Sequence, residues 1–399
     1  MKIHILFAGS VFHAVASTNR MLSLAKGLTE ASHAVHIFCL GAGGNEARKK
    51  KSGEVEGIRY TYLGWRNGCR TTSLPAKVRH LFASTLDGMR VFKGNDRPDA
   101  VLLMSIRLIH LFPYLWAAKK QSIPVFHERN EYPHRNVRTL LDRVLLRLYL
   151  QQAVPRFAGL ALMTQALMKY FRENCPRCPP LLHLPMTVDS GRFLKQTQAP
   201  MAGRYIAHCG SSFGDKDGVL ILIEAFARVS KEFPDVKLVL IGSDADRTAM
   251  ERLQQRIQEP SVQERIILTG QITREEMPAW LQHAELLALA RPATLQAAGG
   301  FPTKLGEYLS SARPVVVTRV GEIADYLQDG VNAWIAEPGS VDSFAAKLRE
   351  ALDFDPTARN AIGLKGRDVA FSVFNFAVQG RRLARFIEEQ VPVYRNHQI

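Results

Sequence analysis

The sequence predicts an α/β protein with two doubly wound parallel-sheet domains in tandem. Short apolar runs typical of buried strands alternate with amphipathic helical segments along nearly all of its 399 residues. That length favours two domains over one. A polar connector contains Pro200 and Gly203, and the same strand–helix order starts again after it. We therefore predict a first domain over residues 1–198, a second over 199–371, and a last helical segment over 372–399.

The first half opens with a strand over residues 2–8, and Gly9 and Ser10 begin the loop after it. The apolar run is too short for a signal peptide and lacks a small-x-small cleavage site. The other strands predicted in this half are residues 33–40, 58–62, 99–104, a run from 124, and 159–163. The predicted helices are residues 20–28, 75–92, 108–120, 138–157 and 165–173.

The second half repeats this order with glycine-bearing loops after its strands. The strands predicted there are residues 205–209, 236–241, 265–269, 285–290, 315–317 and 333–336. The predicted helices are residues 219–233, 275–283, 341–352 and 375–389.

Composition limits the class of protein. Hydrophobic residues make up 46% of the chain, which supplies sizeable cores and argues against disorder. Five cysteines in a chain of this length do not form a disulfide framework. Cys175 and Cys178 form one Cys-x-x-Cys pair, which fits either a metal or redox role or two reduced thiols in a proline-rich connector. No stretch approaches the ~18 apolar residues of a membrane helix.

Basic residues concentrate in the first half. Residues 1–200 hold 29 basic and 12 acidic side chains, whereas the remainder holds 23 and 25. This asymmetry fits anionic lipid, a phosphorylated substrate or nucleic acid, or simply a solvated basic surface. The amphipathic segment 75–92 could lie on a membrane. Packing of that segment on its own sheet is the commoner arrangement and the one we expect.

One stretch, Ala298–Thr318, carries the clearest chemical signal. Pro302 stands where a helix would begin, and the amides of Thr303 and Lys304 would lack acceptors within that helix. Such amides form an anion site, to which Lys304 adds a cation. Glu307 follows about one turn later, where a carboxylate suits ribose hydroxyls better than phosphate. The pattern indicates a nucleotide-diphosphate site, although an ordinary loop–helix–strand unit would look similar.

A second loop, Gly210–Gly218, places Lys216 at another predicted helix start. In a parallel sheet the two loops would converge, and lysines near helix starts suit phosphate. Taken alone, Lys216 could equally be a solvated lysine.

In the first half, His127 follows a strand together with Glu128, Arg129, Glu131 and His134. Such a cluster can orient a sugar or transfer a proton, whereas a lone histidine is more often a core residue. The sequence has no Gly-x-Ser-x-Gly, His-Glu-x-x-His or Walker A motif, which argues against serine hydrolases, zincins and P-loop enzymes.

These motifs resemble those of the group 1 (family 4) retaining glycosyltransferases. The resemblance rests on Gly300–Gly321, which contains Phe-Pro-Thr-Lys-Leu-Gly-Glu, on Leu184–Phe193, on Gly210–Phe226 and on Asp329–Asn332. It covers nearly all of residues 180–350 and is weaker over the first half.

The resemblance implies the GT-B fold, in which two Rossmann-like domains face a cleft and the C-terminal helix returns to the first domain. The donor would bind the second domain and the acceptor the first. By resemblance, Glu307 binds ribose, Lys216 the diphosphate and Ile272 the nucleobase, and His127 lies near the transferred sugar. The other positions expected at the donor are Gly9, Ser10, Gly210, Ser211, Gly299, Gly300, Phe301, Pro302, Thr303, Lys304 and Leu305.

Two positions depart from the family pattern. Gly299 replaces the first glutamate of the family's E-x7-E motif, and Ser211 replaces a common arginine. Both leave the donor sugar open.

We therefore expect a transferase that uses a UDP- or GDP-type sugar, retains the anomeric configuration and requires no metal or other cofactor. The expected acceptor is a glycan or a polyprenyl-phosphate-linked sugar, in cell-surface polysaccharide or glycoconjugate synthesis. The expected place is the cytoplasm, including the inner face of the cytoplasmic membrane, with contact to anionic lipid and none to nucleic acid. The alternatives are a nucleotide-sugar epimerase of the same fold and a non-enzymatic anionic-ligand-binding protein.

Overall fold

A computed structural model of the chain describes residues 1–12, 16–41, 50–64, 73–94, 96–133, 137, 139–210, 216–242, 247–258 and 262–396. The chain forms two compact units. The first unit comprises Met1–Thr187 and Phe376–Ile399, and the second comprises Val188–Asn375.

The first unit is built on one sheet with the strand order β3-β4-β2-β1-β5-β6-β7-β8. Its strands are β1 Lys2–Phe7, β2 Ala34–Cys39, β3 Ser52–Val55, β4 Ile58–Tyr62, β5 Ala100–Met104, β6 Val125–Arg129, β7 Gly159–Leu162 and β8 Leu181–His183. All neighbouring pairs are parallel except β3–β4, an antiparallel hairpin. Strand β3 was not predicted, because it is short, mostly exposed and lacks an apolar run.

Helices cover both faces of this sheet. They are α1 Ala16–Glu30, α2 Leu74–Arg90, α3 Leu108–Lys120, α4 Leu140–Leu148, α5 Gln165–Asn174 and the C-terminal helix Phe376–Asn396. The helix predicted over 138–157 is regular only in α4. The chain then continues as a π segment, Tyr149–Ala153, and as a 3-10 turn, Val154–Arg156, whose Pro155 has no backbone N–H to donate.

The C-terminal helix returns to the first unit, as the resemblance implied. It packs on α1 where Gly27 meets Gly380. A Cβ added to Gly380 would lie 2.3 Å from the Gly27 Cα, so the two backbones touch and a side chain at that crossing would separate them.

The second unit holds a parallel sheet with the order β11-β10-β9-β12-β13-β14. Its strands are β9 Arg204–Cys209, β10 Val236–Ile241, β11 Ile266–Gly270, β12 Leu286–Leu289, β13 Val315–Thr318 and β14 Trp334–Ala336. The chain order reverses between β9 and β12. In open α/β sheets this switch point is where ligands bind, beyond the carboxyl ends of the strands.

The helices of the second unit are α6 Val219–Val229, α7 Arg247–Ile257, α8 Met277–Gln282, α9 Leu295–Gly299, α10 Thr303–Ser310, α11 Ile323–Tyr326, α12 Val341–Asp353 and α13 Pro356–Val369. Helices α7, α9, α11 and α13 were not predicted from the sequence. In α13, Gly363 and Gly366 weaken the apolar pattern because they allow close backbone contact: a Cβ on Gly363 would lie 2.5 Å from the Ala312 carbonyl oxygen. Among the described residues, no helix has the length and apolar composition to cross a bilayer.

The boundaries between the units differ from the predicted positions, 198 and 371. The 3-10 turn Ser190–Phe193 belongs to the second unit, where the Gln282 side chain donates to the Phe193 carbonyl at 2.8 Å. At the other end, the Val188 amide donates to the Phe374 carbonyl at 2.8 Å, which holds the chain in the second unit as far as Asn375.

Candidate functional site

The predicted donor residues of the second unit follow the carboxyl ends of its strands. Gly210 follows β9, Ile272 follows β11, and the loop before α10 follows β12. The Gly210 amide donates to the Ile241 carbonyl at 2.9 Å. Gly242 has φ +120°, and a Cβ there would lie 1.9 Å from the Gly210 carbonyl oxygen. The loops after β9 and β10 therefore pack against each other through backbone.

Helix α10 begins one residue later than predicted. Pro302 is its N-cap, with φ −73° and ψ 108°, and Thr303 is the first helical residue. The Leu305 amide donates to the Pro302 carbonyl at 3.0 Å. The donors that lack an acceptor within the helix are thus the amides of Thr303 and Lys304, and they stand at the positive end of the helix dipole.

The Lys304 side chain does not point to a free ligand position. Its ammonium donates to Asp217 Oδ2 at 2.7 Å, and the two side chains are only 14% and 11% exposed. Arg291 Nε stands 3.9 Å from Asp217 Oδ1. A buried carboxylate thus neutralises the Lys304 ammonium, which argues against the predicted role of that ammonium as the cation of the ligand site.

The protonation of this cluster follows from its surroundings. Burial raises the pKa of the Asp217 carboxyl, but the neighbouring cations, Lys304 first, lower it by more, so the pKa lies below its usual value. His208 on β9 is fully buried, and its Nδ1 lies 2.9 Å from the Ala288 carbonyl oxygen. Burial, and then the Lys304 charge, lowers the pKa of His208 to about 4. At neutral pH the cluster therefore holds an ionised aspartate and a neutral histidine.

Glu307 is held by a residue that the sequence analysis did not single out. Arg192 Nη1 donates to Glu307 Oε1 at 2.7 Å, and both side chains are mostly buried. Arg192 also donates to the Arg274 carbonyl oxygen. It lies inside the Leu184–Phe193 motif, which was assigned to the first domain, so its proximity to Glu307 was not foreseen.

Two predicted donor residues have core side chains. Phe301 is 6% exposed and packs on Tyr326 and Phe374, with ring centroids 5.7 and 5.3 Å away. Leu305 is fully buried. Their backbones alone remain candidates for ligand contact, as the resemblance implied. Gly299 and Gly300 are buried as well.

The loop of Lys216 touches the loop after β12. Lys216 is exposed, two residues before Gly218, the N-cap of α6. Gly218 has φ +67°, and a Cβ there would lie 1.9 Å from the Ala290 carbonyl oxygen. The hydrogen bond from Lys304 to Asp217 joins this same loop to the start of α10, so the two loops lie next to each other as predicted. Ser211 lies outside the described residues.

In the first unit, His127 is a core residue. Its side chain on β6 is 1% exposed and packs on Phe157 and Tyr149, with ring centroids 4.9 and 6.0 Å away. Burial, and then the charge of Arg129, lowers the pKa of His127 well below its usual value. This core environment argues against the catalytic role that the resemblance implied, and the role of His127 stays a prediction. His134, in the same cluster, lies outside the described residues.

The neighbouring Glu128 forms a buried ion pair. Arg20 Nε donates to Glu128 Oε1 at 2.5 Å, and the same guanidinium donates to the carbonyls of Leu184 and Pro185 at 2.9 and 2.8 Å. Both side chains are almost inaccessible. This pair fixes α1, β6 and the chain beyond β8 to one another.

Gly9 and Ser10 also have structural contacts. Ser10 Oγ lies 2.6 Å from the Tyr62 hydroxyl oxygen, and Ser10 is 1% exposed. A Cβ on Gly9 would lie 2.4 Å from the Phe7 ring. The Ser10 hydroxyl is therefore engaged inside the first unit, and its assignment as a donor contact stays a prediction for the backbone of this loop.

The two parallel-sheet α/β units, with the C-terminal helix returning to the first, define the GT-B fold of glycosyltransferases. Residues 203–353 match the family model described as glycosyl transferases group 1, and residues 16–180 match that of the glycosyl transferase 4-like domain. The chain belongs to the group 1 (family 4) glycosyltransferases.

Individual glycosyltransferases and solved structures are also similar to this chain. A GDP-mannose-dependent alpha-(1-6)-phosphatidylinositol monomannoside mannosyltransferase of Mycolicibacterium smegmatis is 29% identical over 219 residues, which span 52% of this chain and 56% of that protein. The chain thus matches little more than half the length of that relative. Sucrose-phosphate synthase from Thermosynechococcus elongatus has a TM-score of 0.74 at 14% identity, covering 98% of this chain and 99% of its own. Anabaena HepE in complex with UDP-glucose has a TM-score of 0.73 at 15% identity, covering 98% and 100%.

Proposed function

We propose that the protein is a retaining glycosyltransferase that moves a sugar from a nucleoside-diphosphate sugar to a glycan or lipid-linked acceptor. The observation that carries the proposal is the start of α10. Two helix amides and the Arg192-bound carboxylate of Glu307 lie within about one turn of each other, beyond the switch point of the second sheet. Amides at a helix start suit a diphosphate, and a fixed carboxylate suits ribose hydroxyls.

In this proposal, catalysis is electrostatic. The amides of Thr303 and Lys304 and the exposed ammonium of Lys216 stabilise the negative charge that develops on the leaving diphosphate. Arg192 is a positioning residue, because it holds the Glu307 carboxylate in one orientation for ribose. Asp217 keeps Lys304 and the first turn of α10 in place. No metal or other cofactor has a role in this scheme.

The family relatives support the substrate classes. The mycolicibacterial relative is named for GDP-mannose and for a phosphatidylinositol-linked acceptor, and HepE was solved with UDP-glucose. A UDP- or GDP-sugar donor and an acceptor carried on lipid are therefore proposed here. The donor binds the second unit and the acceptor the first, at the cytoplasmic face of the membrane, in cell-envelope glycan synthesis.

A donor panel tests the proposal. The protein is incubated with UDP- and GDP-sugars and a lipid-linked acceptor extract, and the products are followed by NMR. Transfer with an α-linkage from an α-linked donor is the expected result. An isomerised free or nucleotide-bound sugar without transfer would indicate an epimerase. A β-linked product would contradict retention.

A further inference from the structure

We propose that α2, α3 and α4 of the first unit form a docking surface for an anionic lipid bilayer, the three-helix surface. The inference deepens the proposed function, because it names the surface that would bring the first unit to a lipid-linked acceptor. Its structural basis is independent of the donor site.

Helix α2 turns its large apolar side chains outward. Its buried residues are the small Ser84 and Gly88. The Tyr114 hydroxyl of α3 donates to the Ser84 carbonyl at 3.1 Å, and a Cβ on Gly88 would lie 2.3 Å from that hydroxyl oxygen. An ordinary surface helix buries its apolar stripe instead. The outward stripe, one residue in every four, is Leu74 (74% exposed), Val78 (44%), Phe82 (64%) and Leu86 (56%).

The two other helices continue this apolar surface. Helix α4 buries none of its residues. Its exposed apolar residues, all on one side of the helix, are Leu140, Leu141, Val144, Leu145 and Leu148. Helix α3 adds one exposed stripe at helical spacing, made of Ile109, Phe112 and Trp116. Contiguous apolar surface of this kind marks an interaction site in a folded protein.

The three helices lie on the same face of the first sheet. They connect β4 to β5, β5 to β6 and β6 to β7, and each connection runs in the same direction across the strand order. Right-handed crossovers place such helices on one face. Thr85 Oγ1 on α2 lies 2.8 Å from His110 Nδ1 on α3, and α3 contacts the π segment that continues α4. The apolar stripes therefore belong to one surface.

The charge on this surface favours an anionic bilayer over a protein partner. The three helices hold seven lysine and arginine side chains and two acidic ones, Asp87 and Asp142. Asp87 accepts from Arg90, and Asp142 caps α4. Lys120 Nζ stands 3.9 Å from the centre of the Trp116 ring. Lysine is depleted at protein interfaces, whereas apolar stripes flanked by Lys and Arg, with Trp, are typical of helices that lie in the bilayer interface.

Vesicle co-sedimentation of the full chain tests the proposal. Wild type should bind vesicles with about 30% phosphatidylglycerol in phosphatidylcholine at low salt, and bind pure phosphatidylcholine far more weakly. A triple Lys77→Glu, Lys119→Glu, Arg143→Glu variant should lose at least about a hundredfold in binding, since each basic side chain contributes about fivefold. Wild type that fails to bind anionic vesicles, or a charge variant that binds like wild type, would overturn the proposal.

The apolar side chains have their own test. The variant Phe82→Ser, Trp116→Ser, Leu141→Ser removes one exposed apolar residue from each helix. The control variant Leu194→Ser, Val331→Ser, Leu364→Ser removes three exposed apolar residues of the second unit. Only the first variant should lose vesicle binding. Brominated lipid should quench wild-type fluorescence, and Trp116→Phe should remove that quenching. Equal loss in both triple variants, or quenching unchanged by Trp116→Phe, would contradict insertion.

Two readouts separate this proposal from others. Sedimentation velocity without lipid should give a monomer, and a dimer that Phe82→Ser dissociates would assign the surface to a second copy instead. Nucleotide binding by all surface variants should match wild type. Vesicle binding without nucleotide binding would refute the proposed function and leave the three-helix surface standing.

Discussion

Replacing Asp217 with asparagine removes the only carboxylate that the structure shows bound to Lys304 within the described residues. The side chains of both residues are nearly inaccessible, and Arg291 lies 3.9 Å from the same carboxylate. The substitution therefore removes the negative charge that pairs with the Lys304 ammonium and that also attracts the nearby Arg291. Breaking a buried pair costs about 3–5 kcal/mol, and we expect about 3 kcal/mol because the Lys304 ammonium can shift toward water.

Lys304→Met is the informative counterpart. It leaves Asp217 beside Arg291, so we expect a smaller cost, about 1.5 kcal/mol. In wild type, the lowered pKa of Asp217 means that its stabilisation is present at neutral pH and is lost as the pH falls through the folded-state value. Without Lys304, fewer neighbouring cations oppose the effect of burial, so the pKa of Asp217 should rise. The deficit of Lys304→Met should therefore shrink as the pH falls, because protonation of Asp217 relieves the burial of its charge in the variant.

Urea unfolding at pH 7, followed by circular dichroism and tryptophan fluorescence, measures these costs. A 3 kcal/mol loss corresponds to a fall in melting temperature of about 6–12 °C for a unit of this size. Asp342→Asn, at an exposed ion pair with Arg228, is the matched control and should cost under about 1 kcal/mol. An Asp217→Asn cost no larger than the control, or a larger cost for Lys304→Met than for Asp217→Asn, would refute this account of the cluster.

Three further predictions concern the site and the fold. Lys216→Met should weaken UDP or GDP binding about tenfold or more, whereas Lys304→Met should weaken it less than about threefold. Calorimetric titration measures both, and the reverse order would show that Lys304 contacts the ligand. In Gly218→Ala the new Cβ sits on a left-handed backbone and lies 1.9 Å from the Ala290 carbonyl oxygen, so the free energy of unfolding in urea should fall by about 3 kcal/mol or more. The control Gly339→Ala is also left-handed but has nothing within 4 Å of the new Cβ, and its free energy of unfolding should fall by about 1 kcal/mol. His127→Phe should keep turnover within about threefold of wild type, since the imidazole is buried among aromatic rings; a hundredfold loss would restore its catalytic role.

The sequence was most informative where one physical signal decides an element. Apolar runs such as Val315–Val317 predicted buried strands, because parallel strands covered on both faces contain few polar residues. The exposed hairpin strand Ser52–Val55 carries no such signal. Helix α13 was not predicted because its glycines, which allow close packing against other backbone, interrupt the apolar periodicity.

Side-chain environments were harder to predict than elements. The motif placed Lys304 at a helix start. Its partner Asp217 is 87 positions away in sequence, and no local pattern connects the two residues. His127 stands near the carboxyl end of its strand, where sites occur, yet Tyr149 and Phe157 cover it. Helix 75–92 was correctly identified as amphipathic, but periodicity does not say which way the apolar stripe faces. The structure turns that stripe to solvent.

The central claim is that the start of α10 and Glu307 hold the donor nucleotide, and isothermal titration of UDP, GDP, ADP and CMP tests it most directly. Loss of charge-assisted hydrogen bonds to ribose is worth about 1.5–3 kcal/mol. Wild type should bind UDP or GDP, and Glu307→Ala should weaken that binding by about 10- to 150-fold. Glu337→Ala, at an exposed position, should bind like wild type. If no nucleotide binds wild type, or if Glu307→Ala binds as wild type does, the donor-site assignment is contradicted.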